Sequence, residues 1–359
     1  MATVISGLEI YAPVFKVNLG ELNEKLLRDS ITSVDVDEDL DEPARFTISL
    51  NDTLNMKTQK FKWLDDINIA PGTEVSIYFG YAQSPQKQSS ITGKIKAITP
   101  GFISTGTQML SIEGYDLSHD LQKTEGDLSY SKATYSNVAE KIASSNHLST
   151  SGIEDSEKIY EKIERKKNEK DYAMLKRLAG EIGFEFFVRD RTLFFRKPKD
   201  DKDGEISFEF RKNFISFNPR MATATLVNEV NVTAWNEKDK ESISATAGIS
   251  DIKSSVGIPN FDSVIEKSNG KKITVKLEGR VVRSKDEAKA LAIAELKRRN
   301  NGFIQGQLEC AGDPMLRPGI TVNIDKIGER FSGVYYITKA KHSIGDGGYK
   351  TTLDVRRSI

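Results

Sequence analysis

Two stretches of this chain, one in its first third and one at its C-terminal end, spell out the same run of β elements in the same order. Pro71-Gly72-Thr73-Glu74-Val75-Ser76-Ile77 parallels Pro318-Gly319-Ile320-Thr321-Val322-Asn323-Ile324. Ile91-Thr92-Gly93-Lys94-Ile95 parallels Phe331-Ser332-Gly333-Val334-Tyr335, and Leu110-Ser111-Ile112-Glu113 parallels Leu353-Asp354-Val355-Arg356. A Pro-Gly turn before an alternating strand is common in β proteins, so one such match carries little weight. Three matches in a fixed order, with connecting loops of different length, point to a duplication. Two copies of one tube-like β-barrel are therefore expected. The consequence is symmetry: three such chains in a ring would present six similar barrels, matched to a six-fold partner on one side and a three-fold partner on the other.

A length of 359 residues exceeds what one hydrophobic core usually serves. The N-terminal third reads as strands. Along Thr73–Phe79, Val75, Ile77 and Phe79 alternate with Glu74 and Ser76 and would face a core. Ile31 to Asp37 and Arg45 to Leu50 flank an acidic stretch and read as a hairpin with a charged tip. The character changes near Tyr130. Tyr135, Val138, Ala139 and Ile142 share a helical face after a cap at Thr134. Tyr172, Leu175, Leu178, Ala179 and Ile182 mark a second helix, with Gly183 placed to stop it. Phe184 to Val188 and Thr192 to Arg196 form a hairpin about Arg189-Asp190-Arg191. The polar run Lys197–Gly204 reads as a linker. Ser244 to Lys272 reads as a long polar loop, and Ser284 with Glu287 as the capping box of a last helix that ends near Gly302. The expected fold class is mixed β with an α/β insert. The expected division is residues 1–122 with about 205–235 as a first tube-like β-barrel, 123–204 as the α/β insert, and 236–359 as a second barrel carrying a long polar loop near 244–272.

Basic and acidic residues number 52 each, so the formal net charge is zero. That balance argues against nucleic-acid recognition, which normally shows a basic excess. A lone cysteine, Cys310, excludes an intrachain disulfide and fits assembly in a reducing cytoplasm. No signal-peptide pattern opens the chain, and no apolar run approaches the ~20 residues of a membrane helix, so no membrane insertion is expected.

Several residue groups carry chemistry-bearing types without the spacing chemistry needs. His119, His147 and His342 lack ligand spacing with each other or with Cys310, so no metal and no cofactor are expected. Asp35, Asp37 and Asp39 begin like a calcium-binding loop, but Leu40 stands where Gly is needed and Phe46 where Glu is needed, leaving a solvated hairpin tip. Ser118-His119-Asp120 are adjacent and cannot supply triad geometry. Glu181 and Glu185 form an acid pair of the kind a glycosidase uses, yet such pairs arise by chance among 52 carboxylates. The run Glu161-Lys162-Ile163-Glu164-Arg165-Lys166-Lys167 is locally basic, with interleaved acids and no stacking platform. Phe184, Phe186, Phe187, Phe194 and Phe195 lie on both sides of one hairpin; about half should pack inward, and the exposed half is a candidate contact surface. No catalytic residue is assigned.

The segments Tyr135–Ala143, Asp171–Ala179 and Gly183–Phe187, with Pro318–Val322, Phe331–Ile337 and His342, resemble the phage late control gene D family. This family includes the tail hub proteins of contractile phages and the N-terminal part of VgrG-type spike proteins. The resemblance covers most of the chain and is weakest in about 235–275. It implies a non-enzymatic homotrimeric ring, with two tube-like barrels per chain, joining a hexameric tail tube to a trimeric spike beside other baseplate proteins. Unlike VgrG-type proteins, the sequence stops soon after the second barrel, so the spike is expected to be a separate polypeptide. The particle implied is a virion or an injection-system baseplate. The competing classes are a tail-associated peptidoglycan hydrolase, which needs an acid pair or metal in a cleft, and a glycan- or receptor-binding tail protein.

Overall fold

The computed structural model describes residues 12–22, 24–82, 90–123, 129–200, 204, 206–236, 240–252, 261–280, 282 and 284–357. The fold is mostly antiparallel β-sheet with few helices. The N-terminal part contains β1 (Pro13–Leu19), α1 (Glu24–Arg28), β2 (Ile31–Asp39), β3 (Arg45–Asp52), the short pair β4 (Leu54–Asn55) and β5 (Lys60–Phe61), β6 (Glu74–Tyr81), β7 (Ile91–Gly101) and β8 (Gln108–Asp116). Period-two alternation sets the burial. Val75, Ile77 and Phe79 of β6 are buried, as are Val34 and Val36 of β2 and Phe46, Ile48 and Leu50 of β3, in one shared core. The hairpin expected around the acidic stretch is present as antiparallel β2 and β3.

Next come β9 (Ser129–Ala133), α2 (Tyr135–Ser145), β10 (Ser149–Ile153), β11 (Tyr160–Glu164), α3 (Asp171–Ile182), β12 (Glu185–Arg189) and β13 (Thr192–Arg196). Thr134 caps α2 reciprocally: its hydroxyl accepts from the Asn137 N–H at 3.1 Å, and its own N–H donates to the Asn137 side chain at 3.1 Å. Gly183 ends α3 with φ +71° and its N–H on the Ala179 carbonyl, a conformation that disfavours side chains with a Cβ. Val138, Ile142, Leu175, Leu178, Phe186 and Phe195 bury the two helices against β12 and β13 in a core of their own.

The C-terminal part holds β14 (Ile206–Glu209), β15 (Ser216–Met221), β16 (Glu229–Asn236), β17 (Glu241–Gly248), α4 (Phe261–Asn269), β18 (Thr274–Arg280), α5 (Lys285–Asn300), β19 (Ile304–Ala311), β20 (Thr321–Asp325), β21 (Gly333–Gly345) and β22 (Gly348–Arg357). Two expectations need correction. First, β14 and β15 pair with β20 and β19, not with the N-terminal strands, although residues 205–235 were grouped with the first barrel. Sequence adjacency to the insert hid pairings with strands that follow β16–β18, α4 and α5 in the chain. Second, the expected polar loop near 244–272 contains the end of β17 and all of α4, with residues 253–260 outside the described set. Only Ile243 and Ala247 of β17 are buried, so the apolar signal is thin there. β16, β17 and β18 make a separate three-stranded sheet covered by Ala288, Ala292 and Leu296 of α5. The Ser284 cap is as expected, accepting from the Glu287 N–H at 3.2 Å.

The strand order repeats. One half of the large sheet runs β1-β6-β7-β8-β3-β2, and the other runs β14-β20-β21-β22-β19-β15. Each position in one path is filled by the strand of the same rank in the other. The detail agrees as well. Gly72 and Gly319 both take positive φ, +96° and +86°. The Gly72 N–H donates to the Ile95 carbonyl at 2.8 Å and the Gly319 N–H to the Ile337 carbonyl at 2.9 Å; Ile95 and Ile337 donate back to Thr73 and Ile320, each at 3.0 Å. A bulge follows at once in both, between Ile95 and Ala97 and between Ile337 and Lys339. These bonds place Ile95 against Ile337 and Ile112 against Leu353, two residues away from the sequence match that set Ile95 on Tyr335 and Ile112 on Val355. A slip of two keeps every side chain on its face, so hydrophobic pattern alone does not detect it. One difference is that β1 runs antiparallel to β6 whereas β14 runs parallel to β20. Among the described pairings no sheet closes on itself; instead β2 of the first half pairs with β21 of the second, joining the halves into one sheet.

Candidate functional site

The second Pro-Gly turn is where three parts of the chain meet. Arg317, just before it, lays its guanidinium on Glu38 of β2, with Nε 3.0 Å and Nη2 2.8 Å from Oε2, and Nη2 also donates to the Ser90 carbonyl at 2.6 Å. From the insert, Arg189 donates to the Pro318 carbonyl at 2.6 Å and Arg196 to the Gly319 carbonyl at 2.9 Å. Arg196 also bonds Glu185 at 2.9 Å, and Glu185 accepts from the Tyr336 hydroxyl. Burial, with Arg317 nearby, pulls the Arg189 guanidinium down to about 10; burial raises the Glu185 carboxyl against the pull of Tyr336 and Arg196. Phe187 and Phe194 stack at 4.8 Å, with both arginines 5.3–5.8 Å from the ring centres. The aromatic face expected as an external contact surface is thus turned inward, onto the Pro318–Gly319 turn. An arginine covers a ring and satisfies carbonyls at once, which lets a charged hairpin close over a backbone turn.

Asp35, Asp37 and Asp39 are not a solvated hairpin tip. They line the β2–β21 joint and face Lys341 and Lys339 at 3.5–3.8 Å. The tip itself begins at Leu40, and Asp41 there accepts from Tyr172 at 3.1 Å. Two-residue spacing, read as a broken calcium loop, is the spacing of one strand face.

The remaining sequence candidates stay apart. His342 is buried, with Nε2 3.1 Å from the Leu316 carbonyl and Nδ1 2.9 Å from the Tyr349 hydroxyl; burial lowers it to about 4. His119 stacks on Tyr115, 4.8 Å between centres. Cys310 is buried, its thiol pushed up to about 12 by desolvation. The Ser118 hydroxyl donates to Asp116, not to His119. Glu181 accepts from Tyr135, a different partner from those of Glu185. In the run Glu161–Lys167, Arg165 pairs with buried Asp171. Among the described residues no group of three or more His, Cys, Asp or Glu could hold a metal, and no helix is long and apolar enough to cross a membrane. A cleft of about 1580 Å³ opens between α3 and α5, lined by Lys176, Phe184, Arg220, Lys297, Arg298 and Arg356 among others.

No curated protein matches the chain. Solved structures do. A 43 kDa tail protein of prophage MuSo2 from Shewanella oneidensis superposes with a TM-score of 0.72 at 14% identity, over 96% of this chain and 98% of the other. A tail protein from Neisseria meningitidis MC58 gives 0.71 at 15% identity, over 97% of each. An Escherichia coli component of the type VI secretion system gives 0.58 at 12% identity, over 96% of this chain and 77% of that one. The fold is therefore shared with phage tail proteins and a secretion-system component. Residues 16–346 match the model of the family described as Alg8 N-terminal domain, and the chain belongs to that family.

Proposed function

We propose that the chain is the structural hub of a contractile tail or injection-system baseplate. Three copies close into a ring that adapts a hexameric tail tube to a trimeric spike, in contact with other baseplate proteins. The observation that carries this reading is the repeated strand order, with the same turn, the same paired hydrogen bonds and the same bulge in each half. A chain with two equivalent halves gives a three-fold ring six similar faces, which is the form a junction between six-fold and three-fold partners requires. The fold shared with tail proteins supports the same role. The two halves are read as copies of one tube-like barrel. Residues 1–122 form the first and 123–204 the insert; the remainder forms the second, with β14 and β15 counted there. The role is mechanical, not catalytic: large interfaces and sheet edges supply affinity. Assembly takes place in the cytoplasm, and the product is part of a phage-tail-like particle.

Electron microscopy of the purified chain, alone and with its tube protein, tests this. A three-fold ring with a central hole is the expected image. A chain that stays monomeric and ignores the tube protein, or a closed ring of another copy number, overturns the proposal.

A further inference from the structure

The joint between the two halves has a counterpart that no strand among the described residues fills. Within the chain β2 lies along β21, from Val34 opposite Ile344 to Asp39 opposite Lys339. By rank in the repeated path, β15 corresponds to β2 and β7 to β21. The pairs Val34–Ile48 and Phe217–Leu308 set Phe217 on Val34, and the shared bulge sets Ala97 on Lys339 and Phe102 on Ile344. Among the described residues no strand pairs with the outer edge of β7 beyond Ile95, or with the outer edge of β15.

Burial marks the same two edges. Ile344, where the intrachain joint forms, is 4% exposed and packs into the core of the first half. Phe102, its counterpart, is 66% exposed, and Ile103 beside it 52%. On the β15 side Ile215 is 60% exposed. At the β7 edge a large apolar side chain thus stands exposed where its counterpart in the same molecule is covered, and Ile215 adds an exposed apolar side chain just before β15.

We infer that β15 of one chain lies antiparallel along β7 of the next, repeating between chains the β2–β21 joint that exists within each chain. This rests on the ring reading above and names the contact that closes it. The register follows from the correspondence: Phe217 opposite Phe102, Pro219 opposite Pro100, and Met221 opposite Ile98. Pro219 is tolerated beside β19, and Pro100 beside β8, only with the ring nitrogen turned to the outer edge. Two prolines then face each other where Val36 faces His342 within the chain. That pair has no N–H to give. Backbone bonding comes from the pairs on either side, two bonds from each, and exposed Phe102 with half-buried Phe217, Ile98 and Met221 supplies side-chain contact. The prolines also keep both edges from extending onto unrelated strands. The contact is head-to-tail, so it makes a ring only if its rotation closes. With six equivalent joints, three within chains and three between them, each turns by about 60°.

Cysteine cross-linking tests this. Thr99 and Arg220 are both exposed and fall directly opposite in the register, and Cys310, the native cysteine, is buried. Mild oxidation of the Thr99→Cys/Arg220→Cys variant should give covalent dimers and trimers. A Thr99→Cys/Ser216→Cys variant, four residues out of register, should give none. Phe102→Glu changes a side chain that is exposed apart from a ring contact with Phe61, so its circular dichroism spectrum should match wild type while trimerisation weakens by about tenfold or more. A trimer that fails to cross-link at 99–220, or that links equally at 99–216, overturns this joint and leaves the ring standing. A wild-type chain that stays monomeric with its tube protein overturns both.

Discussion

Buried His342 and buried Asp116 pull in opposite directions as pH changes. Burial lowers His342 from 6.5 to about 4, against a small upward pull from Glu38. Its folded state resists protonation, so its share of stability is complete above pH 6.5 and is lost as pH falls toward 4. Asp116 is raised from 3.8 to about 7 by burial, although Ser118 donates to it twice. Its share is present below pH 3.8 and is lost as pH rises to about 7. At about 1.4 kcal/mol per pH unit, the two windows are worth about 3 and about 4 kcal/mol, and they nearly cancel. Urea unfolding at pH 4, 5, 6 and 7 separates them. His342→Gln should lose stability steadily from pH 4 to 7, and Asp116→Asn should gain it. Equal slopes in both variants and wild type would show that neither group titrates as its burial requires. Neither role was legible in the sequence. Spacing excluded a metal site at His342, but burial of a lone histidine depends on which strands cover it.

At the scale of elements, the two Pro-Gly turns use the same backbone for different ends. Gly72 takes φ +96° with open space where a Cβ would stand. Gly319 takes φ +86°, and a Cβ there would lie 2.9 Å from Nη2 of Arg196. Gly72→Ala should cost only the left-handed backbone, about 1 kcal/mol. Gly319→Ala should cost more, about 2–3 kcal/mol, since the arginine must also leave the turn. Thermal unfolding of the two variants decides; an equal loss would mean that the insert does not depend on close approach to the turn. The turns themselves, the hairpins and helices α2, α3 and α5 could be read from alternation, caps and stop glycines. α4 could not, because Ile265 is the buried side chain its described residues offer and one residue sets no period.

For the whole molecule, the Glu38–Arg317 pair ties the first half to the second at the point where the insert also docks. Removing Arg317 takes away the bonds that hold buried Glu38 and leaves it Arg189, 4.0 Å away, as a more distant ionic partner. Arg317→Met should destabilise by about 3–5 kcal/mol, and Glu38→Gln/Arg317→Met by less than the sum of the single changes, in a double-mutant cycle of denaturant midpoints. Additive losses would mean that the pair does not act as a unit. The sequence by itself determined the β character, the α/β insert and the existence of a repeated pattern, because periodicity, caps and Pro-Gly turns act over a few residues. The tertiary structure decided the pairing partners of β14 and β15, the two-residue slip of the match, the inward turn of the Phe187–Phe194 face and the role of Asp35, Asp37 and Asp39. Each of these depends on a partner far along the chain. A strand edge carries the same alternation whichever strand lies beside it, so only the folded pairing can choose.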